Sequence, residues 1–102
     1  MMNETSTKLL IVDDLPENLR ALNALIRESD RSVYQASSGE EALALLLEHD
    51  FALAILDVQM PEMDGFELAQ LMRGTEKTRH IPIVFVTAAG KERNFAFQAY
   101  ES

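Results

Sequence analysis

Apolar residues in this chain fall into two kinds of segment that alternate along it. The first kind is short and apolar, and it covers residues 8–12, 32–36, 51–56 and 83–86. Two of these segments, FALAIL and IVFV, are continuous apolar runs, which are typical of strands buried on both faces. The segment SVYQA mixes polar with apolar residues, which suits a strand at a sheet edge. The pattern therefore predicts four β-strands.

The second kind of segment has apolar residues every three or four positions, which is the spacing of an amphipathic helix. The first such stripe is formed by Leu15, Leu19, Leu22, Leu25 and Ile26. Ser38 with Glu41, and Asp64 with Glu67, have the spacing of capping boxes and predict the starts of two further helices. A fourth helix is predicted over residues 90–102, with an apolar face made of Phe95, Phe97, Ala99 and Tyr100.

The order of these elements is βαβαβαβα, which predicts a parallel sheet with helices on both faces. In such sheets ligands bind outside the carboxyl ends of the strands. Asp13 and Asp14 follow the first predicted strand, Asp57 follows the third, and Thr87 follows the fourth. The sequence therefore predicts three carboxylates and a hydroxyl at one edge of the sheet.

Three carboxylates this close together cannot all stay ionised without compensation, so they share a proton or hold a cation. Oxygen ligands favour a hard ion such as Mg²⁺, which usually keeps some waters and a phosphate oxygen. With such an ion bound, one aspartate can act as a nucleophile towards phosphorus, and a hydroxyl such as that of Thr87 can donate to a phosphoryl oxygen. The alternative at this point is that each aspartate only caps the helix that follows it.

Composition narrows the class of partner. The 102 residues suffice for one domain, and the net charge of −8 argues against direct nucleic-acid binding, which needs Lys and Arg to neutralise phosphates. The chain has no cysteine, so disulfides and thiolate metal sites are excluded. Its start, MMNETSTK, lacks the apolar core of a signal peptide, and no apolar run has the length of a membrane helix. We expect a soluble, cytoplasmic protein.

The segments LLIVDD, LDVQMPEMDG and VFVTA, in this order and spacing, resemble the receiver domain of two-component response regulators. The resemblance covers residues 8–102, and residues 1–7 are expected to form a polar or disordered tail. It implies an α/β fold of the flavodoxin-like (CheY-like) doubly wound class with strand order 2-1-3-4. It also implies a signalling domain that catalyses only its own phosphorylation and dephosphorylation.

The resemblance implies a role for each matching residue. Asp57 matches the aspartate that accepts the phosphoryl group from a histidine kinase or phosphotransfer protein. Asp14 matches a direct ligand of Mg²⁺ (or Mn²⁺), and Asp13 a ligand that often acts through water. Gln59 matches the position whose backbone carbonyl completes the metal shell, and Thr87 matches the switch hydroxyl. Ala88 matches the small residue that leaves room for the phosphoryl group. Pro61 and Gly65 match two residues that shape the loop.

The sequence departs from the family at its end, where we find no fifth strand carrying a lysine and no fifth helix. Lys8, Lys77 and Lys91 are the only lysines, and none occupies the family position. We therefore expect a truncated receiver that binds metal but is phosphorylated slowly or not at all. We also expect the fourth strand to be an exposed apolar edge which, with uncovered helix and sheet faces, promotes self-association.

Two other functions stay open from the sequence. One is an assembly module without phosphoryl transfer, which the missing lysine favours. The other is a phosphatase of the haloacid dehalogenase type, which also uses a strand-end aspartate, Mg²⁺ and a later Thr or Ser. That family carries a second aspartate two residues after the nucleophile, where this chain has Gln59.

Overall fold

A computed structural model describes residues 6–88 and 95–99 of the chain, and the side chains of residues 6–87 and 99 among them. Its elements in chain order are β1 (Thr7–Val12), α1 (Pro16–Ile26), β2 (Arg31–Ala36), α2 (Gly39–Glu48), β3 (Leu53–Asp57), α3 (Gly65–Arg73), β4 (Ile83–Ala88) and β5 (Phe95–Ala99). The first seven elements are those predicted from the apolar pattern. Strand β1 begins one residue before the predicted segment, and residues 1–5 of the expected tail lie outside the described residues.

The strands form one five-stranded sheet in the order β2-β1-β3-β4-β5. The first four strands are parallel to one another, which confirms the predicted order 2-1-3-4. In the register, Val12 pairs with Leu56 and Asp57 pairs with Val86. Since the strands are parallel and β1 and β3 end within one residue of each other, Asp13, Asp14 and Asp57 meet at one edge of the sheet, here called the carboxyl edge. Thr87 of β4 directly follows Val86, the partner of Asp57.

Alternate residues of the central strands pack on opposite faces, as the strand period of two requires. On one face Ile11, Ile55 and Val86 pack against Leu19 and Leu22 of α1. On the other face the strands pack against α2 and α3 in a larger cluster, which includes Leu10, Val12, Ala42, Leu46, Ala54, Leu56, Leu68, Met72 and Phe85. The three central strands are buried on both sides, and the carboxyl edge is thereby held by a rigid core.

The prediction of a fourth helix was wrong over residues 95–99, which form β5. This strand runs antiparallel to β4, with Phe97 opposite Val86 and Phe95 opposite Ala88. In the sequence the large apolar residues of FAFQA alternate with smaller or polar ones, a period of two that belongs to a strand. The open hydrogen-bonding edge of β4 supplies the partner that such a segment needs. The rest of the predicted helix lies outside the described residues.

The pairing of β5 also overturns the expectation that β4 is an exposed edge. Residues Val84 to Ala88 each have a partner in β5. An edge-to-edge contact between two copies of the chain through β4 would therefore have to displace β5 first. The predicted self-association thereby loses its main structural argument.

The predicted helix starts are real but differ in completeness. The Asp64 carboxylate accepts from the Glu67 N–H at 2.9 Å, and the Glu67 carboxylate accepts from the Asp64 N–H at 2.9 Å, a full capping box. The Ser38 hydroxyl accepts from the Glu41 N–H at 3.1 Å, but the Glu41 carboxylate turns to the backbone and hydroxyl of Ser37. Helix α3, which follows the loop at the carboxyl edge, is thus the more firmly capped of the two.

We expect Asp64→Ala to lower the free energy of unfolding by about 1 kcal/mol or slightly more, because it leaves the Glu67 N–H at the start of α3 without its acceptor. Ser38→Ala is the matched control, which also removes one cap acceptor. It should cost less, because the Ser38 hydroxyl lacks the negative charge with which the Asp64 carboxylate interacts favourably with the N-terminal end of the helix dipole. Urea unfolding of the two variants measures the difference. Equal losses would mean that the charge of the Asp64 carboxylate contributes nothing.

None of the helices in the described part of the chain is long and apolar enough to cross a membrane.

Candidate metal and phosphoryl-acceptor site

Three aspartates come together at the carboxyl edge, as the sequence predicted. Asp13 and Asp14 follow β1, and Asp57 is the last residue of β3. One oxygen of each carboxylate lies within 4.8 Å of the others, which is close enough to surround a single cation. Asp13 is 1% exposed and Asp57 is 8% exposed, whereas Asp14 is partly exposed. The carboxylates of Asp13 and Asp57 are therefore buried, and the cluster is open to solvent on the side of Asp14.

The Asp13 carboxylate is held in place by donors from the loop and from α1. Its Oδ1 accepts from the Leu15 N–H at 3.0 Å, and the Asn18 Nδ2 donates to both oxygens at 3.3 and 3.2 Å. Burial raises the pKa of Asp13 above its ordinary value, while these hydrogen bonds act in the opposite direction. The carboxylate is thus fixed in orientation.

Asn18 was not predicted from the sequence as a site residue. It lies on the first turn of α1, and the turn after β1 brings it back over Asp13. The only sequence signal is its position four residues after Asp14, at the start of a helix. A polar residue there is usually solvated, so the tertiary structure was needed to assign it.

Asp57 has the strongest electrostatic perturbation among the described residues. Burial, followed by the charge of Asp13, raises the pKa of its carboxyl from 3.8 to about 7. The backbone N–H of Gln59 donates to Asp57 Oδ1 at 3.3 Å and opposes this rise. A buried carboxylate beside two others is costly to ionise without a cation.

These three residues fit a hard divalent ion. Their donors are all carboxylate oxygens, the ligands that Mg²⁺ prefers, and Asp14 leaves the site open for waters or a phosphate oxygen. A bound cation would also remove the repulsion that raises the pKa of Asp57.

The explanation that each aspartate is only a helix cap does not account for this arrangement. The N-cap of α1 is Leu15, without a side-chain cap, and the N-cap of α3 is Asp64.

The other predicted site residues lie around this cluster. Thr87 is exposed on β4, one residue beyond the partner of Asp57, and Gln59 and Pro61 are exposed in the loop after β3. Gly65 is buried, its N–H donates to the Val58 carbonyl at 3.1 Å, and a Cβ there would collide with the carbonyl oxygen of Asp57. The side chain of Ala88, the last residue of β4, lies outside the described part of the chain.

The two described lysines have partners elsewhere. Lys8 Nζ lies 3.2 Å from His49 Nδ1, and both residues belong to the end of the sheet opposite the carboxyl edge. Lys77 Nζ forms an ion pair with Asp50 at 2.9 Å. Lys91 lies outside the described residues. The structure therefore gives neither Lys8 nor Lys77 the role of the family lysine.

The family model of the response regulator receiver domain matches residues 9–102, and the chain belongs to this family. The curated relatives include the transcriptional regulatory protein SrrA of Staphylococcus aureus, which is 37% identical over 89 residues. This match covers 87% of the chain and 36% of SrrA, so the chain spans about a third of the length of that relative.

Solved structures of receivers have the same fold. The chemotaxis protein CheY4 of Vibrio cholerae matches with a TM-score of 0.77 at 30% identity, covering 85% of this chain and 72% of that one. The response regulator TrrA of Thermotoga maritima, solved in complex with Mg²⁺ and BeF, matches with a TM-score of 0.73 at 32% identity, covering 82% and 71%. The chain is thus a two-component receiver domain with a CheY-like fold, a signalling domain rather than a classical enzyme.

Proposed function

We propose that this chain accepts a phosphoryl group on Asp57 from a histidine kinase or a phosphotransfer protein, in a metal-dependent transfer that the domain itself catalyses. The observation that carries the proposal is the clustering of Asp13, Asp14 and Asp57 at the carboxyl edge. Membership in the receiver family supports the same function. The acting unit would be residues 8–102.

In the transfer, an Asp57 carboxylate oxygen attacks the phosphorus of the donor. The new O–P bond forms as the bond from phosphorus to the donor's histidine nitrogen breaks, and that nitrogen keeps the electron pair. Asp57 must be ionised to attack, and burial with a neighbouring charge disfavours that state. A cation shared with Asp13 and Asp14 would restore the carboxylate.

The metal ligands would be the carboxylates of Asp13, Asp14 and Asp57 and the backbone carbonyl of Gln59, with Asp13 acting directly or through water. Mg²⁺, or Mn²⁺ in its place, would neutralise the charge that develops on the transferring phosphoryl oxygens. Asn18 would hold Asp13 in position, since its amide spans both carboxylate oxygens.

The remaining residues would act after the transfer or shape the site. The Thr87 hydroxyl would donate to a phosphoryl oxygen, and Ala88 would leave room for the group. Pro61 and Gly65 would fix the loop that carries Gln59. No contact in the described residues favours the phosphatase or the assembly function, and neither is proposed.

The test is intact mass spectrometry before and after incubation with acetyl phosphate and Mg²⁺. We expect one added phosphoryl group, gained slowly because neither Lys8 nor Lys77 takes the role of the family lysine. The gain should be absent after chelation of the metal and absent in Asp57→Asn. Asp50→Asn is the matched control, because it removes an aspartate charge far from the carboxyl edge and should leave the mass gain intact. A gain that persists in Asp57→Asn, or no gain in the wild type under saturating Mg²⁺, would refute the proposal.

A further inference from the structure

The loop of residues 58–64 connects β3 to α3 and carries Gln59, whose N–H contacts Asp57. This loop is tied at both ends. The Gly65 N–H donates to the Val58 carbonyl at 3.1 Å, and the capping box fixes Asp64 at the start of α3. A loop this short, fixed at both ends, can change its conformation only slightly. A displacement of one residue therefore moves the others as well.

The middle of the loop contains a strained turn. Glu62 has a φ of 71°, and it is the only non-glycine residue with positive φ in the described part of the chain. The Met63 N–H donates to the Pro61 carbonyl at 2.8 Å, which closes a γ-turn around Glu62. A turn of this hand with an l-residue at its centre is rare and strained. It persists only where the surrounding contacts hold it.

Met63, the residue after Glu62, lies against the first residue of α2, which is Gly39. A Cβ added to Gly39 would lie 2.5 Å from Met63 Sδ and 3.0 Å from both Met63 Cβ and Cγ. Gly39 is buried, and Met63 packs against the core cluster formed with α2 and α3. The absence of a side chain at Gly39 thus makes a notch that the Met63 side chain fills.

We infer that Gly39 and Met63 are positioning residues for the metal site: the Met63 side chain, seated on Gly39, holds the loop so that the Gln59 backbone meets Asp57 and the bound ion. This inference rests on the proposed metal-dependent function. It assigns a role to the start of α2, which contributes no ligand. It also explains why the chain maintains a strained turn at Glu62.

The test is calorimetric titration of Mg²⁺ into the metal-free protein and its variants. In Gly39→Ala the new methyl group must displace Met63 from the notch. We expect Mg²⁺ binding to weaken about threefold to tenfold, at or below the low end of the losses seen when outer-shell partners are removed. Gly74→Ala is the matched control. A Cβ there makes only an ordinary contact, 3.5 Å from the Gln70 carbonyl, so its Mg²⁺ affinity should equal that of the wild type.

A double-mutant cycle with Met63→Ala separates positioning from general destabilisation. Met63→Ala should weaken Mg²⁺ binding by itself, and adding Gly39→Ala should then have little further effect, because the Sδ and Cγ atoms that it displaces are gone. The amide signal of Gln59 in metal-free protein is a second readout, and it should shift in Gly39→Ala but not in Gly74→Ala.

The outcomes distinguish this inference from the proposed function. If wild-type protein binds no Mg²⁺, the proposed metal site itself is refuted. If wild-type protein binds Mg²⁺ and Gly39→Ala binds it equally well with an unchanged Gln59 signal, the positioning role is refuted and the metal site stands. A double variant whose loss of Mg²⁺ affinity equals the sum of the two single losses would also overturn the inference, because the two residues would then act separately.

Discussion

Asp57→Asn is expected to stabilise the metal-free protein at about pH 8, although it removes the residue on which the proposed function depends. The pKa of Asp57 is raised from 3.8 to about 7, chiefly by burial and then by the charge of Asp13. At about 1.36 kcal/mol per pKa unit, this rise means that ionisation of Asp57 lowers the free energy of unfolding by roughly 4 kcal/mol. An amide removes the charge and keeps nearly the same shape.

The sign of the pH dependence follows from linkage. The folded protein holds the Asp57 proton more tightly than the unfolded chain, so this stability is fully present below pH 3.8 and is lost as the pH rises to about 7. We expect Asp57→Asn to gain about 2 kcal/mol at pH 8, less than the full amount because the amide is still buried and Asp13 still faces Asp14. At pH 5 the gain should be much smaller.

Urea unfolding in the presence of a chelator, at about pH 5 and pH 8, measures this effect. Asp50→Asn is the control. The ion pair with Lys77 lowers the pKa of exposed Asp50, so its removal should give no stabilisation at either pH. A destabilised Asp57→Asn at pH 8, or a gain that is the same at both pH values, would contradict the electrostatic account. Saturating Mg²⁺ should raise the stability of the wild type and narrow its difference from the variant.

Gly65→Ala is expected to destabilise the fold by about 2–3 kcal/mol, the second large effect. A Cβ at Gly65 would collide with the carbonyl oxygen of Asp57 and lie 3.0 Å from its carbonyl carbon. These are backbone atoms of a buried strand, so neither side can move away cheaply. The cost is steric and not a matter of backbone conformation, because Gly65 is the first residue of α3 and has a helical backbone that alanine can also adopt.

The same substitution should disturb the site as well as the fold. Moving the start of α3 away from β3 would lengthen the hydrogen bond from Gly65 to Val58 and shift the loop that carries Gln59. We expect a lower urea midpoint together with weaker Mg²⁺ binding. Gly74→Ala, at the end of the same helix, should change the free energy of unfolding by no more than about 0.5 kcal/mol. Similar losses in the two variants would mean that the close approach at Gly65 does not limit stability.

The sequence alone determined the parallel part of the fold and the position of the carboxylates. Short continuous apolar runs are typical of strands covered on both faces, and the helical spacing between them makes a parallel sheet the consistent arrangement. Since Asp13, Asp14 and Asp57 directly follow such runs, their meeting at one edge was determined with the strands. The helix starts were also predictable from the sequence, because a capping box joins residues only three positions apart.

Only the tertiary structure decided the features that depend on distant contacts. Residues 95–99 became a strand because β4 offered an open edge, whereas the sequence pattern had been assigned to a helix. Asn18 became part of the site because the turn after β1 brings it over Asp13. The contact of Met63 with Gly39 joins residues far apart in the chain, and nothing in the pattern around either one indicates it. Local propensity and periodicity describe neighbours in sequence, but an open sheet edge, a buried charge or a notch exists only once separate elements have packed together.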